Sequence, residues 1–273
     1  MKKILVTGAN GMLGQDLCPI LEDNGFEVVE TDVNNLDITN AEQVKSVLNL
    51  EKPDIVIHCA AYTNVDKAEE DLKTAELINV TGTENIAEVC GKNGITLVYI
   101  STDYVFDGTK NSPYKPDDRI NPINNYGMTK YEGEEAVRSL CPKYYIARTS
   151  WLYGHHGKNF VETMLSLADK PEIKVVDDQV GCPTWTVELA NGIVKLLSKP
   201  YGTYHVCGSG STSWYGFARE IFVRSGLNVN LVPCTTDEFP RPAKRPKYSV
   251  MENNGICRNW QTALRDYLKL RNI

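Results

Sequence analysis

A threonine, a tyrosine and a lysine could together protonate a carbonyl group that is being reduced. Thr102 follows an apolar run, Ile95 to Ile100, that predicts a buried strand, so its hydroxyl should lie at a strand's carboxyl end. Tyr126 and Lys130 are four residues apart at the start of a predicted helix, and they therefore share one helix face. Hydride addition to a ketone builds negative charge on its oxygen, which a phenol can neutralise by giving up a proton.

The phenol needs help from its neighbours, because a free phenol has a pKa of about 10 and gives up its proton reluctantly at pH 7. An ammonium ion and an oxidised nicotinamide are both cations, so Lys130 and the cofactor are expected to lower the pKa of Tyr126, the general acid. The Thr102 hydroxyl would bond the carbonyl oxygen and steady its charge. Taken alone, a Y-x-x-x-K pair is equally typical of a helix surface, so the assignment depends on a cofactor site elsewhere in the chain.

A glycine-rich turn near the N-terminus predicts that cofactor site. Lys3 to Thr7 is a short apolar run typical of a buried strand, a helical pattern then extends to about Asn24, and Phe26 to Glu30 predicts the next strand. Glycines in the first turn of such a unit let the backbone approach a pyrophosphate at the helix N-terminus. The spacing G-x-x-G-x-x-G is weak evidence alone, but its flanking elements favour a dinucleotide site. The turn residues expected to bind the cofactor are Gly8, Asn10, Gly11, Met12, Leu13 and Gly14.

The ends of the next two strands should complete the cofactor site. Asp32 lies where a carboxylate can bond the adenosine ribose hydroxyls, and the absence of a nearby arginine favours NADH over NADPH. Asp37 and Ile38 could border the adenine, although Asp37 or Thr39 could equally cap a helix. Tyr126 and Lys130 are expected to contact the nicotinamide end. Residues after the third strand should pass close to the phosphates and ribose: Ala60, Ala61, Tyr62 and Thr63.

The alternation of strands and helices predicts an α/β fold, a Rossmann-like doubly wound parallel sheet whose ligands bind beyond the strands' carboxyl ends. Residues 1–150 should form the dinucleotide-binding domain. Residues 151–273 should form a smaller, interleaved substrate-binding lobe with elements that return to the sheet. His58 lies inside an apolar run and is expected to be a hydrogen-bonded core histidine, and Asp66 to Asp71 is expected to be a solvated helix face.

Composition excludes several classes of protein. A chain of 273 residues with a net charge of −6 offers no basic surface for nucleic acid or an anionic membrane. No apolar run approaches the length of a membrane helix, and the N-terminal apolar segment is too short for a signal peptide. The eight cysteines are scattered without a C-x-x-C pair, which favours reduced thiols in a cytoplasmic protein over disulfides or zinc.

The motifs together resemble the extended short-chain dehydrogenase/reductase family. The resemblance covers essentially the whole chain, and its most specific part is the run Ser101 to Gly108, S-T-D-Y-V-F-D-G. Further motifs stand in the same order: Thr7 to Gly14, Val65 to Glu69, Tyr126 to Lys130, Arg148 to Trp151, Asn159-Phe160, Asp178-Gln179, Pro183-Thr184 and Arg245-Pro246.

The resemblance implies reduction of the 4-keto group of a dTDP-activated 6-deoxy sugar by NADPH or NADH. It implies that Thr102 and Asp103 contact the sugar, that Trp151 offers it an apolar face, and that Asn159 and Arg245 contact the nucleotide end. For Trp151 and Arg245 the alternatives are core packing and surface solvation. Family members are often described as using NADPH, whereas Asp32 favours NADH.

The resemblance leaves three further questions open. Some members bind Mg²⁺ between the subunits of a homodimer, for which Asp16 and Glu188 are the candidates here, although surface acids are usually only solvated; no residue is assigned as a metal ligand. An epimerase or dehydratase of the same fold is one rival, although Asp103-Tyr104 stands where dehydratases usually carry an Asp-Glu pair. A non-catalytic subunit, like the relative that partners methionine adenosyltransferase, is the other.

Overall fold

A parallel sheet of six strands forms the centre of the structure, a computed structural model that describes residues 1–271. The strands are, in chain order, β1 (Lys3–Thr7), β2 (Glu27–Thr31), β3 (Ile55–His58), β4 (Thr96–Thr102), β5 (Tyr144–Thr149), β6 (Leu152–Tyr153), β7 (Ile173–Val176), β8 (Val180–Gly181), β9 (Thr184–Trp185), β10 (Gly202–His205), β11 (Thr212–Ser213) and β12 (Leu231–Cys234). The central sheet has the order β2-β1-β3-β4-β5-β10, and its neighbouring strands are all parallel.

Ten α-helices connect and cover the strands in residues 1–271. They are α1 (Met12–Asp23), α2 (Ala41–Glu51), α3 (Lys67–Glu70), α4 (Leu72–Glu76), α5 (Gly82–Asn93), α6 (Asn125–Leu140), α7 (Phe160–Ser166), α8 (Thr186–Leu196), α9 (Trp214–Arg224) and α10 (Trp260–Arg271). A π-helical turn, Leu77–Thr81, joins α4 to α5, and a 3₁₀ turn, Asp103–Val105, follows β4. No helix in residues 1–271 is long and apolar enough to cross a membrane.

The sheet is covered on both faces, which explains why its strands are continuously apolar. All four residues of β3 are buried. Apolar residues of α1 and α8 pack on one face of the sheet, and those of α2, α5 and α6 pack on the other. The strand order reverses between β1 and β3, and in such sheets ligands bind at that point beyond the carboxyl ends. The predicted fold class, a Rossmann-like doubly wound sheet, is confirmed.

The C-terminal part of the chain has a core of its own and also returns to the sheet. Residues of α7, α9 and α10 share an aromatic core, whereas α8 packs against α1 and β10 forms an edge of the central sheet. This agrees with the expected interleaving, and the division of the chain at residue 150 stays a prediction.

Two segments before β4 make contacts that the sequence did not predict. The helical segment from α4 to α5 contains the π-helical turn. That turn places Asn79, whose side chain accepts from Tyr62 N at 2.8 Å and donates to Tyr62 O at 3.1 Å. The charged segment that starts at Asp66 is not simply solvated, because Asp66 binds Arg245.

Candidate active site

A crevice of about 860 Å³ lies at the carboxyl ends of the central strands. It brings together most of the residues expected to bind the cofactor: Gly8, Gly11, Met12, Leu13, Gly14, Asp32, Asp37, Ile38, Ala60, Ala61, Thr63, Tyr126 and Lys130. Three of the residues expected to contact the sugar also line it, namely Thr102, Asp103 and Trp151. Asn10, Tyr62, Asn159 and Arg245 are not among its lining residues.

The glycine turn forms one wall of the crevice and fits a pyrophosphate. Gly8 has φ +65°, and a Cβ there would lie 2.8 Å from Ala60 N, so any side chain would collide with the segment after β3. The start of α1 is open as well, because its N-cap residue, Gly11, provides no side-chain hydrogen bond to the helix. The amide groups at this helix end can therefore face an anion. Asn10 contributes through its backbone, since its N–H donates to Asp32 Oδ2 at 3.1 Å.

Asp32 lies directly after β2 at the adenosine end of the expected site. Its Oδ1 accepts from Val33 N at 2.7 Å, and the bond from Asn10 fixes the other carboxylate oxygen. Asp37, further along the wall, uses Oδ1 to bind the Thr39 backbone and hydroxyl. Asp37 lines the crevice as expected, whereas the helix-capping alternative is wrong, because Asn40 caps α2 by accepting from Gln43 N at 3.1 Å.

The three residues expected to be catalytic meet in the crevice. Thr102 is the last residue of β4, and Tyr126 lies in the first turn of α6. Asn124 caps this helix by accepting from Gly127 N at 2.7 Å. Gly127 carries no side chain at a point where one would collide with the Tyr104 carbonyl, so α6 can pack closely onto the 3₁₀ turn. Lys130 follows one turn later and is 2% exposed.

The pKa of Tyr126 is not lowered in the protein alone. Burial raises its pKa to about 12, because removal from water disfavours the phenolate. A hydrogen bond with the Thr102 side chain favours the phenolate and partly offsets this rise. The expected lowering of this pKa by Lys130 and the oxidised nicotinamide together stays a prediction. The phenol keeps its proton at neutral pH, which is the state that a proton donor requires.

Lys130 has the opposite response to burial. Removal from water lowers its pKa to about 7, partly offset by the nearby Glu134 carboxylate. The ammonium lies over the ring of Tyr99, with Nζ 4.1 Å from the ring centroid. The lysine therefore exchanges its proton near neutral pH, unlike an exposed lysine.

Behind the lysine lies a buried ion pair that the sequence did not reveal. Glu134 accepts from Arg148 Nε at 2.8 Å and from Arg148 Nη2 at 2.7 Å, and it accepts from Ser101 Oγ at 2.6 Å. Arg148 also donates to Pro116 O at 3.0 Å, which holds the loop between β4 and α6 against the sheet. The partners come from separate elements, so no local spacing could have indicated the pair.

Asp103 is a buried carboxyl group at the substrate end. Burial raises its pKa to about 6, although hydrogen bonds from Ser249 and Thr102 oppose this shift. The Thr102 hydroxyl donates to its Oδ1 at 3.1 Å. A carboxylate here can accept a hydrogen bond from a sugar hydroxyl, and it does so less well as the pH falls below about 6.

Trp151 forms an apolar wall on the same side. Its φ is +46°, a left-handed conformation that costs a bulky residue free energy. The ring stacks on Trp214, with centroids 3.5 Å apart and planes 5° apart. Gly181 leaves room for it, since a Cβ there would lie 2.5 Å from Trp151 Cε2. Packing thus holds the ring in the crevice, where it can face the apolar side of a sugar.

Asn159 and Arg245 bind other parts of the protein. Asn159 caps α7 by accepting from Glu162 N at 3.1 Å, and its amide donates to Gly154 O at 2.7 Å. Arg245 donates to Asp66 Oδ1 at 2.5 Å. Other residues, to which the sequence assigned no contact with a ligand, also line the crevice. Five of them stand within motifs of the family resemblance, namely Val65, Ser101, Tyr104, Thr149 and Ser150. The rest carry no distinctive motif; they are Val33, Leu36, Thr39, Cys59, Leu77, Ile78, Ile100, Leu152 and Lys158.

The two acids considered for Mg²⁺ have protein partners instead. Asp16 binds the Thr186 hydroxyl, and Glu188 accepts from Arg258 Nε at 2.7 Å. Across the described 271 residues, no group of three or more histidine, cysteine or acidic side chains is placed to hold a metal ion. The structure offers no support for Mg²⁺. His58 is the expected core histidine: it bonds Thr7 and Thr83, and burial lowers its pKa to about 3.

Comparison with known proteins identifies the family. The family described as RmlD substrate binding domain matches residues 1–271. This chain belongs to that family. A Bacillus subtilis relative, "Spore coat polysaccharide biosynthesis protein SpsK", is 44% identical, and the match covers 99% of this chain and 98% of the relative.

Two solved structures of the family have nearly the same backbone. One, a dTDP-4-dehydrorhamnose reductase from Clostridium acetobutylicum, has 50% identity and a TM-score of 0.97, and the match covers 99% of this chain and all of that one. The other, a dTDP-4-dehydrorhamnose reductase from Bacillus anthracis in complex with NADP, has 44% identity and a TM-score of 0.95. The match covers 98% of this chain and 99% of the Bacillus anthracis chain.

Proposed function

We propose that this chain is a dTDP-4-dehydrorhamnose reductase, which reduces the 4-keto group of dTDP-4-dehydro-L-rhamnose to give dTDP-L-rhamnose for polysaccharide biosynthesis. The observation that carries this proposal is the single crevice lined by the glycine turn, Thr102, Tyr126 and Lys130. The two solved family structures described as reductases of this kind support the choice of substrate.

The chain's own residues would supply the proton and hold the ketone. A bound NADPH or NADH supplies the hydride. Tyr126 is the general acid: its phenol stays protonated at neutral pH and donates to the sugar oxygen as charge develops there. With substrate bound, Thr102 would turn its hydroxyl from Asp103 to donate a hydrogen bond to the same oxygen. Lys130 places a positive charge beside the phenol and holds the ribose hydroxyls of the nicotinamide.

Both NADH and NADPH fit the proposal, and Asp32 decides which of them the protein prefers. Its carboxylate is fixed by two backbone N–H groups, so it cannot easily turn away from a cofactor that carries a 2′-phosphate. We therefore propose that NADH and NADPH are both used. The negative charge of Asp32 should weaken the binding of NADPH more than that of NADH, because it repels the 2′-phosphate. The Bacillus anthracis relative in complex with NADP supports use of the phosphorylated cofactor.

Asp103 and Trp151 are the proposed sugar contacts, because both line the crevice beside Thr102. Roles for Asn159 and Arg245 in nucleotide binding stay predictions. Their polar groups already bind protein partners, so each would have to make a second contact through the same side chain. A homodimer likewise stays a prediction.

A substrate panel tests the proposal. Several 4-keto sugar nucleotides would each be offered with NADH and with NADPH, and the configuration of the product at C4 would be determined. We expect stoichiometric oxidation of the reduced cofactor only with the 4-keto sugar nucleotide, and most rapidly with dTDP-4-dehydro-L-rhamnose. Turnover without net consumption of cofactor would instead identify an epimerase, and no turnover with any ketone would favour a non-catalytic subunit.

A further inference from the structure

The ammonium group of Lys130 rests on an aromatic face rather than on a hydrogen-bond acceptor. We propose that Tyr99 is a positioning residue for the reaction, whose ring face holds the ammonium of Lys130 in place and in its charged form. Lys130 Nζ lies 4.1 Å from the ring centroid, well within the distance of about 6 Å at which a cation is attracted to a ring. The inference rests on the proposed function only for the catalytic use of Lys130.

Burial makes this contact important. Tyr99 is 0% exposed and Lys130 is 2% exposed, so water cannot solvate the charge freely. In the part of the chain that the structure describes, no carbonyl or side chain accepts a hydrogen bond from Lys130 Nζ. The neighbouring carboxylate, Glu134, is already bound by Arg148 through two nitrogens. The ring face is therefore the direct contact that the structure records for this cation.

Among the described residues, no other titratable group around Lys130 can stabilise its ammonium in place of the Tyr99 ring. Glu134 on α6 favours the ammonium, but its charge is shared with Arg148 from β5 and with Arg138 on the same helix. Cys59 after β3 stays a neutral thiol, because burial raises its pKa well above the ordinary value. His58 is also neutral, since burial lowers its pKa to about 3. Tyr126, the remaining titratable neighbour, keeps its proton.

Two contacts fix the ring beneath the lysine. The Tyr99 hydroxyl donates to the Lys130 carbonyl oxygen at 3.3 Å, which ties β4 to α6 at that residue. Gly133, one turn later on the helix, leaves the space that the Tyr99 hydroxyl occupies, because a Cβ at that position would collide with it. The His58 ring packs beside Tyr99, with centroids 5.8 Å apart. The ring can therefore neither rotate away nor be replaced by solvent.

Removal of the ring face should make the ammonium easier to deprotonate. The face of an aromatic ring attracts a cation and does not attract a neutral amine. Tyr99→Leu should therefore lower the pKa of Lys130, whereas Tyr99→Phe removes the hydroxyl and keeps the ring. A buried contact of this kind corresponds to about one pH unit in the titration of the lysine.

The titration can be measured directly, without substrate. Lysine labelled with ¹³C at Cε would be incorporated, the Lys130 signal assigned by its absence in Lys130→Met, and the signal followed by NMR as a function of pH. We expect Tyr99→Phe to titrate like the native protein and Tyr99→Leu to titrate about one unit lower. Tyr145→Leu is the control, because Tyr145 is buried on the adjacent strand and its hydroxyl binds Lys199 O instead.

A second series preserves the shape of the core in case Tyr99→Leu does not fold. Phenylalanine, 4-fluorophenylalanine and 3,5-difluorophenylalanine at position 99 weaken the ring's attraction for cations in steps while keeping nearly the same volume. A stepwise fall in the Lys130 titration supports the proposal. Equal titration in all three variants, or equal titration in the phenylalanine and leucine variants, overturns it.

Measuring kcat as a function of pH distinguishes a failure of this inference from a failure of the proposed function. If Lys130 must be charged for turnover, the alkaline limb of the kcat profile should move to lower pH together with the NMR titration. An NMR shift without any movement of that limb would support the Tyr99 contact and contradict the catalytic role of Lys130. Movement of the limb without an NMR shift would contradict the Tyr99 contact.

Discussion

Arg245 donates through Nη1 to Asp66 Oδ1 at 2.5 Å, and this pair joins the C-terminal segment to the start of α3. The hydrogen bond from Arg245 holds the pKa of Asp66 below its ordinary value. Arg245 also donates to Ala243 O at 2.6 Å. Its guanidinium thus stabilises the fold beside the crevice, while its expected contact with the nucleotide end stays a prediction.

The Asp66–Arg245 pair should contribute measurably to stability. We expect Asp66→Asn and Arg245→Met to lower the free energy of unfolding, and a double-mutant cycle to give a coupling of about 1–2 kcal/mol, since the pair is only partly exposed. Urea denaturation of the four proteins measures it. Arg241→Met is the control, because Arg241 lies 4.0 Å from Asp66 and is half exposed, and its loss should cost less than about 1 kcal/mol. No coupling, together with a large rise in KM for Arg245→Met, would instead support the predicted contact of Arg245 with the nucleotide end.

Tyr126→Phe should lower kcat by about 10²–10⁴-fold, the usual cost of losing a general acid, while cofactor binding measured by fluorescence stays near the native value. Because the pKa of Tyr126 is about 12, the native enzyme should show no loss of this proton below about pH 10. Tyr131→Phe, on the same helix but outside the crevice lining, should leave kcat unchanged. A Tyr126→Phe rate equal to the native rate would mean that the proton comes from another group.

Asp32→Ser should increase the preference for NADPH over NADH by about 10-fold, equivalent to about 1.4 kcal/mol, because the carboxylate no longer repels a 2′-phosphate. The ratio of kcat/KM for the two cofactors measures this change. Asp37→Ser provides the comparison, since Asp37 also lines the crevice but binds Thr39. An equal change in both variants would point to a general charge effect on the crevice instead of a contact at the ribose.

Glu134→Gln should lower the free energy of unfolding at pH 7 by about 3–5 kcal/mol, because it leaves the Arg148 guanidinium buried without a counter-ion. Burial by itself would raise the pKa of Glu134, but Arg148 and Ser101 hold it below the ordinary value of 4.5. Its charge therefore stabilises the fold above about pH 4.5, and this contribution is lost as the pH falls through the lower native pKa.

The difference in stability between native and Glu134→Gln proteins should consequently shrink in acid. Urea denaturation at several pH values between 7 and 3 measures this difference. Glu135→Gln is the matched control, because Glu135 is exposed and binds Arg138, which pairs with Glu134 as well. Its loss should cost less than about 1 kcal/mol at any pH. A difference that stays constant down to pH 3 would show that the ion pair is not the cause.

The boundaries of several strands and helices could be predicted from the local sequence pattern. The bounds of β1 agree with its apolar run, α1 ends within one residue of its predicted end, and β2 lies one residue later at each end than predicted. The strand Leu231–Cys234 was missed, since it is short and contains a proline. Such a strand depends on pairing with β7 rather than on its own periodicity.

The sequence by itself determined the cofactor turn and the Tyr126–Lys130 pair, because both depend on spacing within one strand–turn–helix unit or one helix face. It also determined the doubly wound sheet, since alternating apolar strands and amphipathic helices have few other ways to bury their surfaces. Only the tertiary structure decided which charges are paired. Arg245 has Asp66 as its partner, Arg148 has Glu134, and Lys130 has the ring of Tyr99. Each partner lies on a different element, and packing in three dimensions alone brings them within contact distance.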